Sequence, residues 1–154
     1  MKKIILFILI LFLTAHCGFK VVDQNIYRFE ISEVTTLGEK RINYIIKNKL
    51  FAASEKGKDK LIKIQLDTKK TRNIKEKNIK NSITKYELII TTDVSFGKFN
   101  AIKLNKFNVK VFGAYDVSKQ SSITRNNEKQ LIKLLTNKIS DQILNELKSK
   151  LDDL

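Results

Sequence analysis

The segment Ile83-Thr-Lys-Tyr-Glu-Leu-Ile-Ile-Thr-Thr-Asp-Val-Ser-Phe96 is the starting point for predicting the fold, because it carries the clearest alternation of apolar and polar residues in the chain. A period of two is typical of a strand that is buried on one face. One face holds Tyr86, Leu88, Ile90, Val94 and Phe96 together with Thr92, and the other holds Lys85, Glu87, Thr91 and Asp93 together with Ile89. The segment therefore predicts a strand whose apolar face other elements must cover.

Three more strands are predicted around this segment. Residues 97–100 turn the chain into a partner strand from Ile102 to Tyr115, where Gly113 interrupts the apolar face and indicates a bulge or a close backbone approach. Alternation also predicts strands at Leu61–Thr68 and Asn25–Val34, and Gly38 ends the region of the first strand.

Two amphipathic helices complete the predicted domain. In both helices apolar residues recur at spacings of three and four. The helix predicted at Glu39–Ser54 has a stripe of Ile42, Ile45, Ile46, Leu50 and Ala53. The helix predicted at Arg125–Leu151 has a stripe of Ile132, Leu135, Ile139, Ile143, Leu147 and Leu151, widened by Leu131, Leu134 and Leu144. The order β-α-β-β-β-α predicts an α+β two-layer sandwich, a four-stranded mixed sheet covered on one face by two helices. The other sheet face is expected to be polar, with Arg28, Lys63, Lys85, Lys106 and Lys110.

The N-terminus has the pattern of an export signal. Two lysines precede the apolar run Ile4–Leu13, which is typical of a signal peptide and shorter than the ~20 residues that span a bilayer. The single cysteine, Cys17, follows at the point of processing. We predict a signal peptide at 1–16, a lipidated tether at 17–24 that begins with Cys17, and one α+β domain at 25–154.

Two other interpretations of the N-terminus stay open. His16 stands before Cys17, where lipoprotein cleavage sites usually carry a small residue. The alternatives are an ordinary signal peptide cut nearby and an uncleaved short anchor. Lipidation would explain a lone cysteine in an exported chain, since that cysteine has no intrachain partner.

The chain is strongly basic, with a net charge of +14, which favours anionic partners. A composition rich in Lys, Asn and Ile is also what an AT-rich genome produces. The basic segment 69–80 is predicted to form two strand ends and an exposed hairpin loop. It is either a solvated turn that discourages edge pairing or an anion-binding tip, whose candidate residues are Lys69, Lys70, Arg72, Lys75, Lys77 and Lys80. Export and the lack of an aromatic-studded basic motif make nucleic acid an unexpected partner.

The residue types available also argue against catalysis. The single histidine, His16, leaves with the signal peptide, and Cys17 would be acylated. Neither an imidazole base nor a thiolate nucleophile would remain, nor the ligands of a His/Cys zinc site. Two close acidic pairs, Glu30 with Glu33 and Asp152 with Asp153, do not resemble a catalytic dyad. We expect no enzyme, no metal and no cofactor.

The chain resembles the LPS-assembly lipoprotein family, LptE. The resemblance rests on Cys17-Gly18-Phe19, on Gly38-Glu39-Lys40-Arg41-Ile42-Asn43-Tyr44, and on Phe112-Gly113-Ala114-Tyr115 before a long amphipathic helix. Element order and length also agree along the domain. The resemblance implies a lipid-anchored protein on the periplasmic side of the outer membrane, which plugs an LPS-transport β-barrel of the LptD type, assists its folding and binds lipopolysaccharide without catalysis.

A second reading of the function stays open beside this one. It is an envelope scaffold lipoprotein that binds peptidoglycan or another envelope protein. It would lack a stoichiometric barrel partner, so the partner discriminates between the two. A lipid-anchored enzyme would require two carboxylates that converge in a pocket.

Overall fold

The computed structural model describes residues 29–57 and 60–152, and the predicted α+β sandwich is confirmed. Its elements are β1 (Glu30–Gly38), α1 (Lys40–Ala53), β2 (Leu61–Lys77), β3 (Ile83–Lys98), β4 (Asn105–Asp116) and α2 (Ser121–Asp152). The predicted signal peptide at 1–16, the lipidated Cys17, the tether at 17–24 and the start of the first strand at 25–28 lie outside the described residues.

The four strands form one mixed sheet in the order β1-β2-β3-β4. β1 runs parallel to β2, whereas β2, β3 and β4 form an antiparallel meander. We distinguish the two ends of the sheet by name. The proximal end is where β1 begins, beside the start of β2 and the β3–β4 connection. The distal end is where β2 turns into β3 and α2 begins.

β3 has the two faces that its sequence predicts. Leu88, Ile90, Val94 and Phe96 are almost fully buried beneath the helices. Thr92 is buried among them because its Oγ1 is hydrogen-bonded, at 2.8 Å, to the Oγ1 of Thr68 on β2. A buried hydroxyl with a partner avoids the penalty of desolvation.

β1 ends where a backbone approach leaves no room for a side chain. Gly38 has φ +82°, and a Cβ at this position would overlap the carbonyl oxygen of Thr68. The next residue, Glu39, donates its backbone N–H to that same oxygen at 2.9 Å. The sharp change of direction lets α1 fold back over the sheet, where Ile46 and Leu50 are completely buried.

Several details of the predicted elements are wrong. β1 has a register irregularity between Ile31 and Glu33, so strict alternation fails and Ile31 and Val34 are both buried. β4 begins at Asn105, not Ile102. β2 continues to Lys77, so most of segment 69–80 is strand rather than loop. Leu134 does not widen the buried stripe of α2, since it is 60% exposed.

At Gly113 the structure has neither a bulge nor a close approach of another backbone, and a leucine side chain lies against the glycine instead. The β3–β4 register is regular throughout, and a Cβ on Gly113 would lie 2.8 Å from the Cδ1 of Leu131. The absence of a side chain at Gly113 therefore allows α2 to pack closely on β4. Within 29–57 and 60–152, neither helix combines the length and apolarity needed to cross a bilayer.

Candidate functional site

The six predicted anion-binding cations lie on one hairpin but not on one face. Lys70 and Arg72 extend the helix-covered face of β2, in register with Ile90 and Leu88 of β3. Lys69 and Lys75 lie on the uncovered face, opposite Thr91 and beside Glu87. We call the part of β2 from Lys69 to Lys77, together with the turn that follows it, the basic hairpin.

The turn of the basic hairpin is short and well organised. The Asn78 Oδ1 accepts the backbone N–H groups of Lys80 at 3.0 Å and Ser82 at 2.9 Å. Asn81 takes the left-handed conformation, φ 60°, and its Oδ1 accepts a hydrogen bond from the Lys77 Nζ at 3.0 Å. Lys77 is therefore partly committed to the turn, whereas Lys80 is displayed at its exposed edge.

Three ion pairs of the basic hairpin are loose. The N···O distances are 3.7 Å for Lys70 with Glu39, 3.8 Å for Arg72 with Glu128 and 4.0 Å for Lys75 with Glu87. A charge-assisted hydrogen bond is closer to ~2.8 Å. By contrast, Lys49 and Asp141, which join α1 to α2, are 2.6 Å apart. Lys70, Arg72 and Lys75 therefore keep N–H donors that an added phosphate could use.

Lys85 differs from these cations, although it lies on the same hairpin. Its Nζ is 3.0 Å from the Glu76 Oε2. The hydrogen bond to this carboxylate raises the pKa of Lys85. Lys85 is thus an internal partner of the hairpin, and it is a weaker candidate for an external anion.

Arg72 is held in position by two tyrosines. Its guanidinium carbon lies 4.8 Å from the centre of the Tyr86 ring, a cation–π contact, and the Tyr86 and Tyr115 ring centres are 5.7 Å apart. The Tyr115 hydroxyl raises the pKa of Arg72, so the guanidinium stays charged. The planar fork of an arginine held this way suits bidentate binding of phosphate.

The Tyr115 hydroxyl is itself buried without a hydrogen-bond partner of normal geometry in the part of the chain described. Burial raises its pKa above the ordinary value of 10.0, and the approach of Arg72 offsets part of the rise. The hydroxyl therefore remains protonated at neutral pH. Its interaction with the Arg72 guanidinium lacks normal hydrogen-bond geometry, so we expect it to contribute little to stability.

We expect Tyr115→Phe to be neutral or stabilising by up to about 1 kcal/mol at neutral pH, because it removes an unsatisfied buried hydroxyl. The raised folded-state pKa means that the native protein holds this proton more tightly than the unfolded chain does. Wild-type stability should therefore fall as pH rises above about 10, and the variant should lack that part of the loss.

Urea unfolding at neutral and at alkaline pH measures this difference. Tyr44→Phe is the matched control, since Tyr44 is exposed. The advantage of Tyr115→Phe over wild type should grow with pH. An advantage that stays constant, or one that Tyr44→Phe reproduces, would contradict the assignment.

A groove between α1 and α2 extends the site beyond the basic hairpin. It encloses about 480 Å³, and it meets the hairpin at Lys70. Ile42, Ile45 and Ile132 supply apolar surface, while the remaining lining residues are polar or charged: Glu39, Arg41, Lys70, Lys129, Gln130 and Lys133. Its volume is within the range of small-molecule sites, ~300–1,000 Å³. The groove combines apolar contact with cations at its border.

Sequence reasoning missed Arg41, Lys129 and Lys133. They lie far from segment 69–80 in the chain and are brought beside Lys70 only by the packing of the two helices on the sheet. Their spacing on α2, Lys129 and Lys133 four residues apart, places them on one side of that helix. This was the available signal, but it did not indicate which face of the sheet they would border.

The uncovered sheet face carries a second depression, of about 790 Å³. Asp67 and Asp93 are direct cross-strand neighbours there, and the Asn108 Nδ2 donates to the Asp93 Oδ1 at 2.7 Å. Lys106 supplies the opposite charge. Asp93 is solvent-exposed, so the pair lies on an open surface of mixed charge. Within residues 29–57 and 60–152, no group of three or more His, Cys, Asp or Glu could hold a metal ion.

The fold that carries this site is found in bacterial lipoproteins. The structure is similar to lipoprotein B from Nitrosomonas europaea, with a TM-score of 0.67 and 14% identity over 88% of this chain and 93% of that one. It is also similar to rare lipoprotein B from Shewanella oneidensis, with a TM-score of 0.63 and 12% identity over 79% and 97% of the two chains. No family model and no curated protein matches the sequence. At these identities the likeness establishes the shared fold.

Proposed function

We propose that the chain is a bacterial envelope lipoprotein of the LPS-assembly type, anchored through Cys17 on the periplasmic side of the outer membrane. In this role it is the plug and assembly partner of an LptD-type barrel, and it binds lipopolysaccharide on the way to the outer leaflet. The shared lipoprotein fold supports the general class. The export signal and the lone Cys17 support the anchor.

The observation that carries the choice of ligand is the junction between the basic hairpin and the groove. Lipopolysaccharide joins phosphates to acyl chains, so its binding site needs cations beside apolar surface. Lys70 and Arg72 have loose internal ion pairs, and Lys70 borders the groove that contains Ile45 and Ile132. A lysine binds phosphate as a point charge, and an arginine binds it through its fork.

The same arrangement supports binding rather than catalysis. The basic hairpin and the groove offer cations and apolar surface but no general base beside a nucleophile. Asp67 and Asp93 do converge, but Asp93 is exposed and hydrogen-bonded to Asn108. In a catalytic pair of carboxylates, different surroundings push the two pKa values apart, so that one group acts as an acid and the other as a base.

The triple variant Lys69→Gln, Lys70→Gln, Arg72→Gln should weaken binding of purified lipopolysaccharide. Each cation near an anionic surface contributes about fivefold, so three give roughly 100-fold at low salt. Glutamine is preferred to glutamate because Lys70 and Arg72 face Glu39 and Glu128, and a reversed charge would add repulsion unrelated to the ligand.

The matched control is Lys56→Gln, Lys106→Gln, Lys138→Gln, which removes the same charge from exposed positions away from the basic hairpin. Binding is measured by titration of fluorescent lipopolysaccharide, and circular dichroism tests whether both variants stay folded. Equal affinity for the two triple variants would mean that net charge alone attracts the ligand. Unchanged affinity of the hairpin variant would remove the hairpin from the site.

A further inference from the structure

A cluster of apolar side chains is exposed at the proximal end of the domain, opposite the basic hairpin. Ile102 is fully exposed, Phe99 is 47% exposed and Leu61 is 37% exposed. Phe99 and Ile102 lie in the β3–β4 connection, and Leu61 begins β2. Large apolar side chains presented together to solvent indicate an interaction surface.

The fold fixes this surface in place. The Phe99 backbone N–H donates to the Leu61 carbonyl oxygen at 2.9 Å, and the Ala101 N–H donates to the Lys98 carbonyl oxygen at 2.9 Å. The second bond closes a turn that presents Ile102 outward. We call Leu61, Phe99 and Ile102 together the apolar tip. These hydrogen bonds hold it on the end of the sheet rather than on a long free loop.

Two lysines flank the apolar tip. Lys98 and Lys103 are both exposed, and in residues 29–57 and 60–152 neither takes part in an ion pair with another side chain. An apolar tip between lysines suits a membrane interface, where the apolar groups enter the acyl boundary and the ammonium groups meet lipid phosphates.

The N-terminal part of the chain reaches the domain at this same end. The Glu30 N–H donates to the Lys60 carbonyl oxygen at 3.0 Å, and Glu30 is in register with Leu61. Cys17 precedes Phe29 by only twelve residues, which span at most about 40 Å when fully extended. An acyl anchor at Cys17 would keep the proximal end close to the bilayer.

We propose that the surface formed by Leu61, Lys98, Phe99, Ile102 and Lys103 docks on a bilayer that contains anionic phospholipid. The inference rests on the proposed anchor at Cys17, and it adds a second membrane contact to it. In the anchored protein before it enters the barrel, docking would orient the domain with the basic hairpin directed away from the lipid surface.

The chain contains no tryptophan, so one introduced tryptophan reports on its own surroundings. We would reconstitute the processed protein with Ile102→Trp, extracted from the membranes of an expressing bacterium, into vesicles of phosphatidylcholine and phosphatidylglycerol, with and without brominated acyl chains. Ile79→Trp is the matched control. Ile79 is also fully exposed and is followed by Lys80, but it lies in the turn of the basic hairpin at the distal end.

The expected result is a blue-shifted emission and strong bromine quenching for Ile102→Trp, with neither for Ile79→Trp. Both effects should weaken in vesicles without phosphatidylglycerol, by about fivefold per lysine in the docking equilibrium. Protein that floats with the vesicles but shows no quenching at position 102 would overturn docking while leaving the anchor intact. Failure to float would overturn both. Equal quenching at 79 and 102 would overturn the orientation. Shielding of position 102 only by a co-purifying protein would identify the surface as a protein interface instead.

Discussion

Replacing Gly38 with alanine is expected to lower the free energy of unfolding by about 3 kcal/mol or more. Two effects combine at this position. The φ of +82° is unfavourable for a residue with a side chain, and the added Cβ would overlap the Thr68 carbonyl oxygen. A backbone carbonyl cannot move aside as easily as a side chain can. The junction between β1 and α1 must therefore move, or the hydrogen bond from the Glu39 N–H to the Thr68 carbonyl oxygen must weaken. Chemical denaturation of the variant and the wild type measures the difference.

Two other glycines separate these effects. Gly57 has φ +76° with open space around it, so Gly57→Ala should lose only about 1 kcal/mol from strain. Gly113 lacks a positive φ, and its Cβ would meet the methyl end of Leu131, which can rotate. Gly38→Ala should be the most destabilising of the three. A loss no greater than that of Gly57→Ala would show that the overlap with Thr68 is relieved at little cost.

Replacing Phe96 with alanine is expected to destabilise the domain by about 3–5 kcal/mol. Phe96 is fully buried, and its ring lies edge-on to that of Phe107, with 5.7 Å between ring centres. Removing the ring leaves a cavity between the sheet and the helices, and it also removes the aromatic contact. Equilibrium unfolding in urea gives the magnitude.

Phe112→Ala is the control for the two-faced sheet. Phe112 is in the same sheet, on β4, but is 62% exposed on the face that neither helix covers. Its replacement should change stability by less than about 0.5 kcal/mol. Similar losses at positions 96 and 112 would contradict a domain whose helices cover only one sheet face.

The fold could be predicted from sequence where burial follows a simple period. β3 is the central example, because a strand with one covered face must alternate, and even Thr92 appears on the correct face. Prediction failed where tertiary contacts decide. The irregularity after Ile31 restores Val34 to the core only through pairing with β2. The basic residues of β2 were assigned partly to a loop because no apolar alternation marks that half of the strand.

The candidate site was predictable only in part for a related reason. Segment 69–80 is basic in the sequence, but alternation along β2 sends Lys69 and Lys70 to opposite faces. The groove depends on α1 and α2 lying side by side, so Arg41, Lys129 and Lys133 meet only in three dimensions. The burial of the Tyr115 hydroxyl beside Arg72 likewise has no signature in a single sequence.

We propose that this domain is the stoichiometric partner of an LPS-transport barrel, and identifying what it binds in native membranes tests this proposal. A tagged full-length protein, expressed in its own host, is extracted from outer membranes in mild detergent, and co-purifying proteins are identified and quantified by mass spectrometry. We expect one large β-barrel protein to be recovered in equal amount. Recovery of the protein alone, or with peptidoglycan-associated proteins, would rule out the barrel partner and favour an envelope scaffold that shares the lipoprotein fold.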